Sequence, residues 1–486
     1  MIAKKCQEWY ESPSCTVANI IENIKHIGKM RDVQIEAIKI YMFLKIECDN
    51  KPLHQLFSEG KFNTINIDEL ELKQTIRDYF KEHVDAVSFL EYMTIITKEF
   101  DEKNQKTIEL LKNHPEKFNC SEIFKELFYN VKYSDYIFSL PMGAGKTYLM
   151  AALMYLDLYF SSFEPDNKRF AHNFIVLAPS GTKSSVIPSL KSIKSFDPEW
   201  IFDKIVADRL RHEIKFEVLD MPKTQSKSTR TKNPNVQKIA LNMNGRNVRG
   251  LVLVTNAEKV ILDHTKLDEK QNHIIELDED QEDRLANELR NRIGRIPNLA
   301  IMIDEVHHAS RDSIKLRMVV TNWAKNDTIN CVMGFTGTPY LEKAEKINLP
   351  DKSKISSSEI TNVVYYYPLI NGIGNFLKKP LIVKYENREK YSEIIDNGLR
   401  SFFETYKEKK YTDGTWSKIA IYCTTVEKLE EIVHPLVVQI AEEYGFNPTE
   451  TVLKFHGGGG NNGNMISPRR TNISLAYWIG PYRKYV

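Results

Sequence analysis

The chain has 486 residues, enough for two or three domains that each bury an apolar core. Its 67 basic and 65 acidic side chains leave a net charge of +2, so a nucleic-acid partner cannot be argued from overall charge and would depend on local basic patches. The start Met1-Ile2-Ala3-Lys4-Lys5 runs into polar and acidic residues with no signal-peptide core, and no run of about eighteen apolar residues offers a membrane span, which predicts a soluble, cytoplasmic chain.

The six cysteines (Cys6, Cys15, Cys48, Cys120, Cys331, Cys423) show no C-x-x-C spacing and read as reduced, structural thiols. No zinc site is suggested, because His307 and His308 are adjacent and His26 and His212 lack cysteines at ligand spacing.

In chain order, residues 16–47 and 68–112 carry apolar side chains at helical spacing. The second block discloses no chemistry. The first informative element is the apolar run before Ser139-Leu140, which empties into Pro141-Met142-Gly143-Ala144-Gly145-Lys146-Thr147. Glycines let successive backbone N–H groups curl around phosphate oxygens, and the helix predicted from Tyr148 onward would present its N-terminus to the same anion. Met142, Gly143, Ala144 and Gly145 would form the cradle, Lys146 would reach the β and γ phosphates, and the Thr147 hydroxyl would hold a magnesium ion. The usual pattern has a glycine where this chain has Leu140, so the match is to a relaxed form of the loop.

Phe174 to Ala178 is a second buried strand, followed by Pro179-Ser180, and Leu251 to Asn256 a third. Between them Lys223 to Lys232 is basic and free of apolar residues; it reads as a surface loop or as a loop that closes on a nucleic-acid backbone. Ile274 to Arg292 starts with an acidic run and continues with Leu285 and Leu289 at helical spacing, the pattern of a solvated surface helix.

The run Leu299-Ala300-Ile301-Met302-Ile303 then delivers Asp304-Glu305-Val306-His307 to a strand end. There Asp304 would bind magnesium and Glu305 would polarise the water that attacks the γ phosphorus. Asn330 to Phe335 is another short strand, ending in Thr336-Gly337-Thr338-Pro339.

Taken together, Pro-Met-Gly-Ala-Gly-Lys-Thr, Asp-Glu-Val-His and Gly-Phe-Thr-Gly-Thr-Pro resemble motifs I, II and III of superfamily 2 helicases, closest to the type III restriction enzyme ATPase subunit. The resemblance implies that Thr336 and Thr338 couple ATP hydrolysis to movement on nucleic acid. It implies backbone contacts to nucleic acid by Ser180, Thr182 and Lys183, in a segment similar to motif Ia. Tyr365-Tyr366-Tyr367-Pro368-Leu369 looks like the segment by which such ATPases leave their first domain, and Lys418 to Thr425 resembles motif IV of a second one.

Arg31-Asp32-Val33-Gln34-Ile35-Glu36-Ala37-Ile38 resembles the adenine-reading Q motif, with Gln34 as its glutamine. In the family this motif shortly precedes the phosphate loop, whereas 109 positions separate Gln34 from Gly143 here. Two readings are open: residues 50–130 are a helical insertion that leaves both motifs adjacent in space, or the match is an ordinary amphipathic helix.

The predicted fold is therefore α/β, a RecA-like P-loop NTPase domain with a parallel sheet, an incomplete second RecA-like domain and a helical N-terminal insertion. The expected division is 1–130 helical, 131–375 the ATPase domain, and 376–486 the partial second domain. No match to motifs V and VI is found, the stretch after about 376 is shorter than the roughly 150 residues of a full RecA-like domain, and Arg469 to Trp478 looks foreign to the fold. These features suggest a shortened product of a longer gene. The resemblance implies ATP and Mg2+ as cofactors, nucleic acid (by preference double-stranded DNA) as partner, and a methyltransferase or nuclease subunit beside it. The alternative is a truncated or regulatory ATP- or DNA-binding chain without efficient hydrolysis.

Overall fold

The computed structural model describes residues 1–97, 102–165, 167–179, 186–219, 234–243, 248–256, 260, 266–267, 274–275, 288–305, 310–348, 354–377, 391–410, 417–422, 425–453 and 475–478. The chain divides into two compact units, Met1–Lys379 and Pro380–Val486.

In the first unit, seven strands form one sheet: β1 (Ser134–Ser139), β2 (Asn173–Ala178), β3 (Lys215–Val218), β4 (Leu251–Asn256), β5 (Leu299–Asp304), β6 (Ile329–Thr336) and β7 (Val363–Tyr366). Their spatial order is β7-β1-β6-β5-β2-β4-β3, and every pairing is parallel. The strands β1, β2 and β4 are buried along their whole length, as parallel strands covered on both faces must be. Alternate residues feed two separate cores: Phe174, Val176, Ala300 and Met302 join one, and Ile175, Leu177, Leu299 and Ile301 the other.

The first core is continuous with the N-terminal helices. These are α1 (Ile2–Tyr10), α2 (Ala18–Ile27), α3 (Asp32–Ile46), α4 (Leu53–Ser58), α5 (Gln74–Glu82), α6 (Val84–Ile96), α7 (Glu102–Asn113) and α8 (Cys120–Leu127), with α9 (Lys146–Phe163) following the glycine loop. Within α4 to α8 an aromatic nest forms around Phe57, whose ring lies 5.0 Å from Phe128 and 5.2 Å from Phe124.

The helix α3 is buried on nearly every side and carries Gln34, Lys39, Tyr41 and Lys45 among its buried residues. Tyr41 donates its hydroxyl to Asp157 Oδ1 of α9 at 2.8 Å, and Lys45 Nζ donates to Asn330 Oδ1 of β6 at 2.5 Å. Lys45 stands 3.9 Å from Asp157 Oδ2, which also accepts the Ala171 N–H at 3.0 Å. Burial pushes the Asp157 carboxyl above its ordinary range, and Lys45, the Ala171 amide and Tyr41 oppose that shift. An ion pair with neither side chain exposed thus ties the N-terminal helices to the glycine-loop helix and the sheet.

Within the Tyr365–Leu369 segment, Tyr365 and Tyr366 belong to β7 and pair with Phe138 and Ser139 of β1. The acidic run at 276–287 lies outside the described residues, while Leu289 and Ile293 that follow it are buried in the second core.

The second unit holds a three-stranded parallel sheet in which Leu475–Trp478 lies between Ile419–Tyr422 and Val452–Leu453. The expectation that Arg469 to Trp478 stands outside the fold therefore fails for its last four residues, which supply the middle strand. Their apolar and aromatic character suits a short strand, although they are too few to show a period. The helices Tyr391–Tyr406 and His434–Glu443 of this unit bury Leu399, Phe403, Val437 and Ile440 together. Among the described residues of the chain, no helix is long and apolar enough to cross a membrane, and the five described cysteines are free and buried.

Candidate nucleotide site

Parallel sheets of this kind present ligands with the C-terminal ends of their strands, beside the point where strand order reverses. Here β1 sits at that point, and Ser139 of β1 is level with Thr336 of β6 and Tyr366 of β7. On the next strand Asp304 is level with Phe335, so the ends that carry Lys146, Thr336 and Asp304 converge.

The loop itself explains its unusual residue. Leu140 is fully buried, and its N–H donates to the Thr336 carbonyl at 2.8 Å, which extends the β1–β6 pairing by one step. An apolar side chain fits there, and the turn needs positive φ only later: Gly143 is at +82° and Gly145, the N-cap of α9, at +87°. Met142 projects into solvent at 81% exposure, Ala144 is buried, and Lys146 and Thr147 open α9, where the helix N-terminus favours an anion.

Lys146 Nζ lies 2.7 Å from Glu305 Oε1, so the loop and the Asp-Glu strand end meet directly. Glu305 turns out of β5 with φ +54°, a left-handed conformation unusual for this residue type. Among the described residues, Asp304 Oδ1 is a buried oxygen without a hydrogen-bond partner. Burial first and the Glu305 charge second push its carboxyl up to about 6, while Lys146 and the Glu305 N–H act the other way. From the third side, the Thr336 hydroxyl donates to the Thr338 carbonyl at 3.2 Å and accepts the Thr338 N–H at 3.1 Å, closing a tight turn. A Cβ built on Gly337 in that turn would stand 3.8 Å from Lys146 Nζ.

Gln34 joins the same site. Its Nε2 donates to the Gly145 carbonyl at 2.9 Å and its Oε1 accepts the Arg31 N–H at 2.9 Å. The described residues between α3 and β1 form α4 to α8, and the chain comes back so that the glycine loop lies against Gln34 of α3. Each amide atom of Gln34 retains one further bonding position, a donor and an acceptor side by side.

The residues suit magnesium. The orphaned Asp304 oxygen and the Thr147 hydroxyl are hard donors, and among the described residues no cluster of three or more His, Cys, Asp and Glu exists to cage a metal. Magnesium works with such sparse protein ligation because it keeps water and phosphate oxygens in its shell.

Other expected residues fall outside the described ones: Ser180, Thr182 and Lys183, the basic run Lys223 to Lys232, and Val306 and His307. Sequence reasoning gave no part to Arg31 and Phe376. Arg31 donates Nη1 to the Gly143 carbonyl, and its guanidinium lies 5.0 Å from the Phe376 ring centre.

A glycine loop, a carboxylate pair and a threonine turn gathered at the ends of parallel strands define a RecA-like P-loop NTPase domain. A family model of the type III restriction enzyme res subunit matches residues 27–341, and the chain belongs to this family, whose matched part is a helicase superfamily 2 domain. The match takes in α3 as well as the sheet up to the turn after β6. No curated protein matches the chain.

Proposed function

We propose that the chain is an ATP-dependent translocase or helicase acting on double-stranded DNA, of the type III restriction or phage-defence kind, and that it hydrolyses ATP with Mg2+ in the cytoplasm. Membership of a family of helicase and ATPase type supports this reading. The observation that carries it is the 2.7 Å contact of Lys146 with Glu305 beside an Asp304 oxygen that lacks a partner among the described residues.

In this reading Met142, Gly143, Ala144 and Gly145 wrap the phosphates and Lys146 neutralises the β and γ groups. Thr147 and Asp304 hold magnesium, Glu305 orients the attacking water, and Gln34 reads the base. A fixed acceptor and donor on Gln34 match the N6–H and N7 of adenine, whereas guanine offers two acceptors on that edge. Residues 1–130 then serve as a helical region that brings Gln34 to the loop, 131–375 as the motor domain and 376–486 as part of a second RecA-like domain. A methyltransferase or nuclease subunit is the proposed partner.

The test is ATP hydrolysis by the purified chain with and without double-stranded DNA, alongside Lys146→Ala and Glu305→Gln. DNA-stimulated turnover that both substitutions abolish supports the motor. Nucleotide binding without turnover in the unaltered chain supports a regulatory ATP-binding protein in its place.

A further inference from the structure

We propose that Tyr41 is a positioning residue for nucleobase selectivity, whose hydroxyl sets the height at which Gln34 stands over the phosphate loop, an inference that rests on reading Gln34 as the base reader of a nucleotide site. A helix turns about 100° per residue, so Gln34, Tyr41 and Lys45, with Tyr41 seven and Lys45 eleven residues after Gln34 on α3, fall within about 20° of one line on its surface. Each of the three makes a polar contact along that line. Gln34 Nε2 donates to the Gly145 carbonyl at 2.9 Å, Tyr41 donates to Asp157 Oδ1 at 2.8 Å, and Lys45 Nζ stands 3.9 Å from Asp157 Oδ2. Gly145 is the N-cap of α9, and Asp157 lies about three turns further along that helix. The two helices therefore run in the same direction and are pinned to each other at two levels.

Around the pins lie apolar side chains of one core, Ile38 of α3 and Leu149, Met150 and Leu153 of α9 among them. Apolar packing is non-directional and tolerates small axial shifts. A buried hydrogen bond is satisfied at one register only, and Tyr41, Lys45 and Asp157 are wholly buried, so water cannot take the place of a lost partner. The Gln34–Gly145 contact is only partly buried, where water competes with it, and does not fix the height of α3 by itself. From Lys45 the tie continues to Asn330 Oδ1 at 2.5 Å, on the strand β6 that ends in Thr336. Hydrogen bonds weaken steeply with misalignment, so travel of α3 by about an ångström takes the Gln34 amide out of line with the two base groups it reads. The phosphate cradle belongs to α9 and its loop and stays where it is. The Tyr41 hydroxyl thus governs recognition of the base and not of the phosphates.

The experiment measures equilibrium binding of Mg·ATP, Mg·GTP and Mg·tripolyphosphate, which has the phosphates and no base, to the full chain. A two-bond reading of adenine is worth roughly tenfold or more over guanine, and the unaltered chain is expected to show that preference. Tyr41→Phe keeps the ring and removes the hydroxyl. The ATP preference is expected to fall to about threefold or less, with tripolyphosphate affinity changed less than about twofold. In a Gln34→Ala background, where the preference is already gone, Tyr41→Phe is expected to leave the ratio as it stands, because it acts through Gln34. Phe89→Leu alters a fully buried ring that packs on Phe118 and Phe124, away from the pinned line, and should loosen the helical region without moving the ratio. An unchanged ratio in Tyr41→Phe, an equal fall in Phe89→Leu, or a further change when Tyr41→Phe is added to Gln34→Ala overturns the positioning role and leaves the nucleotide site standing. If the unaltered chain binds tripolyphosphate without preferring ATP to GTP, or keeps its preference in Gln34→Ala, base reading by Gln34 falls and the role of Tyr41 with it; if it binds none of the three, the nucleotide reading itself falls.

Discussion

Lys146 and Glu305 hold each other at 2.7 Å across the mouth of the phosphate loop. The lysine that should neutralise a triphosphate is thus already paired, and a nucleotide must take it from Glu305. In the proposed mechanism, release of Glu305 also frees the carboxylate for a water molecule, so binding and catalytic readiness would be one event. Glu305→Gln is expected to bind Mg·ATP as tightly as the unaltered chain or a few-fold tighter, with hydrolysis reduced by about a hundredfold or more. Equilibrium titration and single-turnover phosphate release measure the two effects. Hydrolysis near the original rate would remove Glu305 from the chemistry.

The raised Asp304 carboxyl sets a pH dependence. As pH falls through about 6, Asp304 takes up a proton and would give up the magnesium-binding role proposed for it, so magnesium-dependent nucleotide affinity should fall below that pH. Glu305→Gln removes a neighbouring negative charge and should move this midpoint downward; the titration of the nucleotide's own phosphate is common to both proteins and cancels in the comparison. An unmoved midpoint counts against coupling between the two carboxylates.

The same group has a cost in stability. A folded-state value above the ordinary carboxylate range means that the favourable contribution is present in acid and is lost as pH rises from about 4 toward 6. Asp304→Asn should therefore leave thermal stability at pH 7.5 unchanged or higher while it abolishes magnesium-dependent binding. A marked fall in melting temperature would show that Asp304 stabilises the fold.

Gly145 cannot be replaced cheaply, since it has φ +87° and a Cβ there would lie 2.6 Å from Gln34 Nε2. Gly145→Ala should destabilise the chain by about 1–3 kcal/mol in urea unfolding. Adding Gln34→Ala removes the clash but not the backbone strain, and should recover only part of the loss.

In the interior, Lys45→Met leaves Asp157 without its cation, and a cost of about 3–5 kcal/mol is expected near neutral pH. The loss should shrink in acid, where Asp157 can protonate. Asp157→Asn on top of it should restore part of the stability, because the amide oxygen can still accept the Tyr41 hydroxyl.

The sheet and the phosphate loop were legible because their strands are apolar runs that end in residues of distinctive chemistry: Lys146 and Thr147 after β1, Asp304 and Glu305 at the end of β5, Thr336 at the end of β6. The position of Gln34 was not, since a 109-residue separation says nothing about which way an intervening helical stretch folds. Tyr365 and Tyr366 are legible only through their resemblance to the segment that leaves the first domain; their place as an edge strand beside β1 depends on Phe138 and Ser139, more than 220 positions earlier. Lys45 and Asp157 look like ordinary charges on helices, and Arg31 and Phe376 belong to no shared pattern. Pairings between residues so far apart in sequence leave no local trace.

The buried lysine of α3 also dictates an order of assembly. Its hydrogen-bond partners Asn330 and Cys331 lie 285 and 286 positions further along the chain, so a ribosome that has made α1 to α9 has produced an interior charge that has Asp157 beside it but neither of these partners. The first unit reaches its finished interior only once β6 has been made and slotted beside β1. Such long-range closure makes folding slow and cooperative, and it makes the N-terminal helices part of the first unit's keystone rather than a detachable preface. A chain begun just before Ser134, where β1 starts, would leave Asp157 with neither Lys45 nor Tyr41 to answer it.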